Sequence, residues 1–231
     1  MEIFYIQTCS STQNEILEIL KENVKKPPFA IVSKTQTNGI GSRGNSWQSN
    51  EGNLFLSFCI GKNDLNSDIN TSSLSIYFSY IFKIILSELG SSVWVKWPND
   101  FYIGKDKIGG VITTKFKDIY ICGIGLNLVS NGEYIRHLDI QVDVNELLIK
   151  YFKKLEEKNS WKQIFSKFLI EFEKSKEFCS HIDGKSVLLK NAILCDDGSI
   201  LIDNKKVYSL RWLKLLLLPT KKVELAKQQR R

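Results

Sequence analysis

Between Ser72 and Leu89, apolar side chains fall on nearly every side of a helical projection: Leu74, Ile76, Tyr77, Phe78, Ile81, Phe82, Ile84, Ile85 and Leu86. A helix without a polar face has nothing to offer water, so the segment predicts a helix buried inside the fold. Gly90 stands where a helix C-terminus favours a residue able to turn left-handed. Around this helix the chain reads as strands: Glu2–Gln7, Phe29–Ser33, Leu54–Ile60 and Val93–Trp97, then Phe101–Ile103, Lys107–Lys115 and Ile119–Leu128. Gly104-Lys105-Asp106 predicts a hairpin turn ahead of Lys107. Thr12-Gln13-Asn14-Glu15 reads as a capping box. It opens a helix that carries Ile16, Leu17 and Leu20 to about Val24, before Pro27-Pro28 stop it. Two amphipathic helices, Val144–Glu157 and Trp161–Phe178, follow later.

From His181 the texture changes. Short alternating runs (Ser186–Lys190, Ser199–Ile202, Lys205–Ser209) are separated by Asp-Asp-Gly and Asp-Asn turns. They predict a β-barrel of about thirty residues, far smaller than an ordinary domain. The expected division is a main domain over 1–180, a small β unit over 181–211 and a basic tail over 212–231. Mixed sheet with helices, followed by an all-β appendage, makes the expected fold class α+β.

Charge narrows the function classes. The chain carries a net +7, but the tail after Trp212 holds five of those charges and leaves the body at +2. A body so nearly neutral is a poor electrostatic footprint for nucleic acid, so a basic nucleic-acid-binding module is the weaker reading. The five cysteines (Cys9, Cys59, Cys122, Cys179, Cys195) are scattered and never spaced C-x-x-C. Buried free thiols are therefore expected rather than a disulfide framework or zinc site. The N-terminus shows no basic-then-apolar leader, and Leu213–Leu218 is too short to span a bilayer. A reducing, cytoplasmic setting is expected.

Four clusters carry candidate chemistry. Thr37 to Ser46 is rich in Gly, Ser and Asn; glycine N–H groups in such a loop can cradle an anion, and Arg43 adds a permanent cation. The same glycines serve equally well in a structural loop. Lys96-Trp97-Pro98-Asn99-Asp100 places a cation, an amide and a possible Mg²⁺ ligand at the end of an apolar strand, where a plain turn would also explain Pro, Asn and Asp. Lys107-Ile108-Gly109-Gly110 sets an ammonium before two glycines, although an isolated hairpin lysine in a lysine-rich chain is far more often merely solvated. Gly123-Ile124-Gly125-Leu126-Asn127 puts glycines inside an apolar strand, which signals either close approach of another group or a bulge.

In their order and spacing these clusters resemble the catalytic core of biotin–protein ligases, from Ile6 to Arg211. Ser11-Thr12-Gln13, the Gly-rich loop ending in Trp47, Lys96-Trp97-Pro98-Asn99-Asp100, Lys107-Ile108-Gly109-Gly110 and Gly123-x-Gly-x-Asn127 appear in the family's order. The Lys-Trp-Pro-Asn-Asp string is the most specific, and it argues against the related lipoate or octanoate transferases. Ser209-Leu210-Arg211 is similar to the close of the family's C-terminal domain.

The resemblance implies a class II aminoacyl-tRNA-synthetase-like domain plus an SH3-like unit, with ATP and biotin as substrates and Mg²⁺ as companion. It implies that the enzyme forms biotinyl-adenylate and transfers biotin to a lysine of a biotin carboxyl carrier protein, with no membrane contact, as a monomer or weak homodimer. It assigns biotin contacts to Ser11, Thr12, Gln13, Gln36, Gly39, Ile40, Gly41, Ser42, Lys107, Gly110, Gly123 and Gly125. Nucleotide contacts fall to Arg43, Trp47, Asn99 and Asn127; catalysis to Lys107, Asp100 and Lys96; metal binding to Asp100. One departure stands out. The family's loop carries arginines where this chain has Ile40, Ser42 and Asn45, so a looser grip on the adenylate is expected. The catalytic strand begins at Glu2, which leaves no room for a helix-turn-helix, so no DNA binding is expected.

Overall fold

The computed structural model describes residues 1–42, 45–48, 50–130 and 136–208. The expected basic tail and the closing Ser209-Leu210-Arg211 lie outside these residues.

Seven strands form one sheet: β1 (Glu2–Cys9), β2 (Phe29–Gln36), β3 (Leu54–Gly61), β4 (Trp94–Lys96), β5 (Asp100–Ile103), β6 (Asp106–Phe116) and β7 (Ile119–Leu126). Their order across the sheet is β1-β2-β3-β7-β6-β5-β4. β1 runs parallel to β2 and every other neighbour is antiparallel. The interior strand β3 is an apolar run interrupted only by Ser57, as a strand covered on both faces must be.

Helix α1 (Thr12–Lys21) covers one face, where Ile16, Ile19 and Leu20 pack on Phe29, Ile31, Cys59 and Ile121. The other face carries α2 (Leu74–Glu88), α3 (Val144–Glu156) and α4 (Trp161–Ser175). The all-round apolar segment is α2, buried as expected, and Gly90 follows it at φ +102°. Phe58 of β3 meets Phe78, Tyr151 and Phe152 edge to face at ring separations of 5.2, 5.8 and 5.6 Å, the offset geometry aromatic quadrupoles prefer.

Two boundaries differ from the sequence reading for physical reasons. Ser11, not Thr12, is the N-cap of α1. Thr12 donates its backbone N–H to Gln36 Oε1 at 2.8 Å, and its hydroxyl lies 3.2 Å from the same oxygen rather than on a helix N–H, so the expected capping box does not form. The helix stops at Lys21 because Asn23 turns left-handed at φ 55°, and Val24 N–H closes on the Ile19 carbonyl at 3.0 Å. A capping box does open α4, between Ser160 and Gln163.

The described C-terminal part, residues 179–207, is a small β unit with one 3-10 turn, Leu189–Asn191. It comprises a two-stranded sheet, β8 (Cys179–Ile182) with β9 (Lys185–Leu188), and a three-stranded sheet of β10 (Ile193–Leu194), β11 (Ile200–Ile202) and β12 (Lys205–Val207). Its core is not separate. Ile182, Leu189, Leu194, Ile200 and Ile202 belong to the same apolar cluster as α2. Trp97 Nε1 and Trp161 Nε1 donate to the carbonyls of Gly198 and Asp196 at 2.9 and 2.5 Å.

All five cysteines are free; Cys9, Cys59 and Cys122 are buried and Cys179 is exposed. Burial pushes the Cys9 thiol up to about 11 and Cys59 to about 12, and raises Cys122 well above the usual range. Each raised value depletes the thiolate at neutral pH, and the thiolate is the nucleophile. Iodoacetamide at pH 8 should therefore modify Cys179 first and spare Cys9, Cys59 and Cys122 until the chain unfolds. Peptide mass mapping reads the order, and early loss of Cys9 or Cys59 would contradict it.

Candidate active site

A cavity of about 320 Å³ opens where the N-terminus of α1, the end of β2, the Gly-rich loop and the middle of β3, β6 and β7 converge. Its base is a chain of buried hydrogen bonds. Thr12 Oγ1 and Ser57 Oγ lie 2.8 Å apart, and Ser57 Oγ donates to Gln13 Oε1 at 3.2 Å. Gln13 Nε2 donates to Thr114 Oγ1 and to the Ile121 carbonyl, both at 3.3 Å. A carbonyl can only accept, so the amide is fixed with its oxygen on the Ser57 side.

The strand glycines are explained by what approaches them. A Cβ on Gly123 would stand 2.7 Å from Gln13 Oε1, and one on Gly125 would stand 2.6 Å from Trp47 Cε2. The loop is held in place by an isolated bridge between Ile40 and Ser46 and by Trp47 N–H donating to the Gly39 carbonyl at 2.8 Å.

The far wall is charged. Lys107 Nζ lies 2.8 Å from Asp100 Oδ1, and Lys96 Nζ lies 4.0 Å from Asp100 Oδ2. The Lys96 side chain is 7% exposed and the Lys107 side chain 42%, so Lys96 sits behind the wall and Lys107 at its surface. Two ammonium groups and one carboxylate leave a net positive corner suited to anions. Tyr102 contributes no charge here, because burial and the nearby Asp100 carboxylate push its phenol up to about 12. A second cavity of about 230 Å³ adjoins the first, with Asn50, Asn53, Gly109 and Asn127 in its wall; Trp47 and Lys107 line both.

The structure gathers most of the residues expected from the sequence. Ser11, Thr12, Gln13, Gln36, Ile40, Gly41, Ser42, Trp47, Asn99, Asp100, Lys107, Gly110, Gly123 and Gly125 line the first cavity, and Asn127 lines the second. Gly39 is buried beneath the loop. Arg43 and Gly44 lie outside the described residues. Asn99, expected toward the nucleotide, also ties the β4–β5 turn to β6: its side chain donates to the Val111 carbonyl, and its own carbonyl accepts Val111 N–H at 2.9 Å.

Sequence reasoning missed Ser57, Phe55, Ile112 and Asn53. Ser57 had a signal, as the lone hydroxyl in an apolar strand. Asn53 had none; its Oδ1 accepts the Leu128 and Val129 N–H groups at 2.8 and 3.2 Å and shapes the second cavity.

A resident magnesium ion does not fit. Asp100 is the only carboxylate lining either cavity among the described residues, and both its oxygens already face lysines. No group of three His, Cys, Asp or Glu side chains among those residues could hold a metal.

The mixed-sheet α+β domain thus carries two adjoining cavities that meet at a net positive corner. Residues 5–128 match the Biotin/lipoate A/B protein ligase family, more than half of the chain, and the chain belongs to that family. Among solved structures it is similar to the biotin acetyl coenzyme A carboxylase synthetase from Helicobacter pylori with bound biotinylated ATP. The TM-score is 0.87 at 40% identity, covering 90% of this chain and 99% of that one. The fold is also that of the biotin protein ligase from Aquifex aeolicus in complex with biotin and ATP (TM-score 0.73, 24% identity, 90% and 94% covered). Biotin–protein ligase 2 of Arabidopsis thaliana is 30% identical over 121 residues, 48% of this chain but only 37% of the plant protein. No helix among the described residues is long and apolar enough to cross a membrane.

Proposed function

We propose that the chain is a biotin–protein ligase that condenses biotin with ATP and passes the biotinyl group to a lysine of a biotin carboxyl carrier protein. The observation that carries this reading is Lys107, which lines both cavities. The biotin carboxylate and the α-phosphate of ATP repel one another, and a cation between them offsets that repulsion and stabilises charge developing at phosphorus. The carboxylate oxygen bonds to the α-phosphorus, the bond to the β-phosphate oxygen breaks, and pyrophosphate leaves. The acceptor ε-amine then attacks the acyl carbon, and AMP leaves.

The ureido ring offers two N–H donors and a carbonyl, and the Thr12–Ser57–Gln13 chain with Gln36 offers the complementary acceptors and hydroxyls. A dithiolane ring has no such groups, so this base favours biotin over lipoate. Mg²⁺ enters as part of the nucleotide substrate. Five free cysteines fit a reducing cytoplasm. The test is pyrophosphate release from ATP with biotin or lipoate, followed by transfer to a carrier domain. Release driven by lipoate, or by neither acid, refutes the proposal.

Ile40 and Ser42 line the cavity at loop positions where the resembled family carries arginines. A charge-assisted hydrogen bond is worth about 1.5–3 kcal/mol, so losing one frees the adenylate roughly ten- to a hundredfold faster. Biotin and ATP should therefore label lysines of a bystander protein, and Ser42→Arg should suppress that labelling. Equal labelling by both proteins would show that the loop's remaining groups hold the intermediate.

A further inference from the structure

The strand that bears Lys96 ends the sheet. Among the described residues β4 pairs with β5 alone, with Lys96 opposite Asp100 in register, so its outer edge presents N–H groups to no described strand. Helix α4 takes them up. Glu171 Oε1 accepts Val95 N–H at 2.6 Å, and Ser175 Oγ accepts Trp97 N–H at 3.0 Å. The two acceptors stand four residues apart on the helix, and the two donors flank Lys96, Val95 within β4 and Trp97 in the turn that follows it. Both side chains are buried, at 8% and 0% exposure, and neither lines a cavity.

The other oxygen of Glu171 meets Lys83 Nζ of α2 at 2.8 Å. A buried carboxylate is costly unless paired and hydrogen-bonded, and here it is both. The buried edge N–H groups need acceptors in any fold, and neutral side chains could supply them. An ionised group at this place fixes the height of one strand against two helices.

We propose that Glu171 and Ser175 are positioning residues for the reaction. By gripping the backbone on either side of Lys96, they set Lys96 and, across the register, Asp100 relative to Lys107 in the cationic corner. The inference rests on the ligase reading. It places the control of the activating wall in α4, some seventy residues further along the chain. The biotin base is built from α1, β2, β3, β6 and β7, and the grip reaches none of those residues directly.

The prediction is a split. Glu171→Ala should lower kcat for biotin-dependent pyrophosphate release roughly ten- to a hundredfold, the range expected when a reacting group is misplaced by about an ångström. Biotin binding without nucleotide, read by calorimetry, should stay within twofold. Glu171→Gln in a Lys83→Met background retains an acceptor for Val95 N–H without setting the amide NH2 against the Lys83 ammonium and should recover most of kcat, whereas Lys83→Met alone keeps that bond and should cost less than Glu171→Ala. Ser175→Ala should move kcat in the same direction. The proposal is overturned if biotin affinity falls in step with kcat, which marks general destabilisation, or if kcat is unchanged in both alanine variants. Should Glu171→Ala fail to fold, Ser175→Ala carries the test alone. Wild-type pyrophosphate release in the same assay separates failure of this inference from failure of the ligase reading.

Discussion

Lys107→Ala should lower the rate of biotin-dependent pyrophosphate release about 10²–10³-fold, the cost of removing one preorganised donor from a developing charge. The fold should survive. The Lys107 side chain is 42% exposed, and its ion partner Asp100 keeps a second ammonium, Lys96, at 4.0 Å. The loss has two parts. One is the donor itself; the other is the Asp100 carboxylate, which then faces the phosphates with one cation fewer and repels them. Lys107→Ala combined with Asp100→Asn should therefore be less impaired than the sum of the two single variants predicts, as residues sharing one electrostatic unit are. Pyrophosphate release under saturating biotin and ATP measures the effect, with thermal unfolding as the control. An unchanged rate in Lys107→Ala would remove the assigned role.

How much of this was legible beforehand follows from the kind of physics involved. Helix α2 was readable because apolar residues occupy nearly every side of it, leaving only a narrow stripe of Ser75, Ser79, Lys83 and Ser87, and such a helix belongs inside the fold. The strands around it were readable from period and punctuation. The short C-terminal strands β8 and β10 were not, since runs of four and two residues carry too little pattern. The end of α1 was misplaced because Asn23 halts it by adopting a left-handed backbone, a choice that asparagine tolerates but does not announce. Thr12 was mistaken for a cap because its hydroxyl has two possible partners. Only the fold shows that Gln36, on the neighbouring strand, wins. The site residues came mostly from motif order, which says that glycines and lysines gather but not what they approach. Glu171, in a helix without motif, was invisible because its function arises from a sheet edge more than seventy residues earlier.

Gly125→Ala should raise the KM for both biotin and ATP, and Gly123→Ala the KM for biotin alone. Neither glycine sits at positive φ, so alanine is allowed by the backbone, and within a strand it is mildly favoured over glycine. Any loss therefore comes from space. At Gly125 the new Cβ would lie 2.6 Å from Trp47 Cε2 and 2.8 Å from Cζ2, closer than carbon atoms can stand. An indole is rigid, so the whole side chain must shift, and Trp47 lines both cavities. A displacement of about an ångström in a positioning group can cost as much as roughly 10²-fold, which sets the scale expected for kcat/KM with either substrate. At Gly123 the obstacle is Gln13 Oε1, 2.7 Å away, the far end of a flexible side chain that can swing aside. Its departure would break the contacts with Ser57 and Thr114 and disorder the base of the first cavity, leaving the second intact. Trp47→Ala tells steric displacement from a general loss of stability. If the indole is the cause, Gly125→Ala adds little in the Trp47→Ala background, whereas full additivity there would mean that Gly125 matters for another reason.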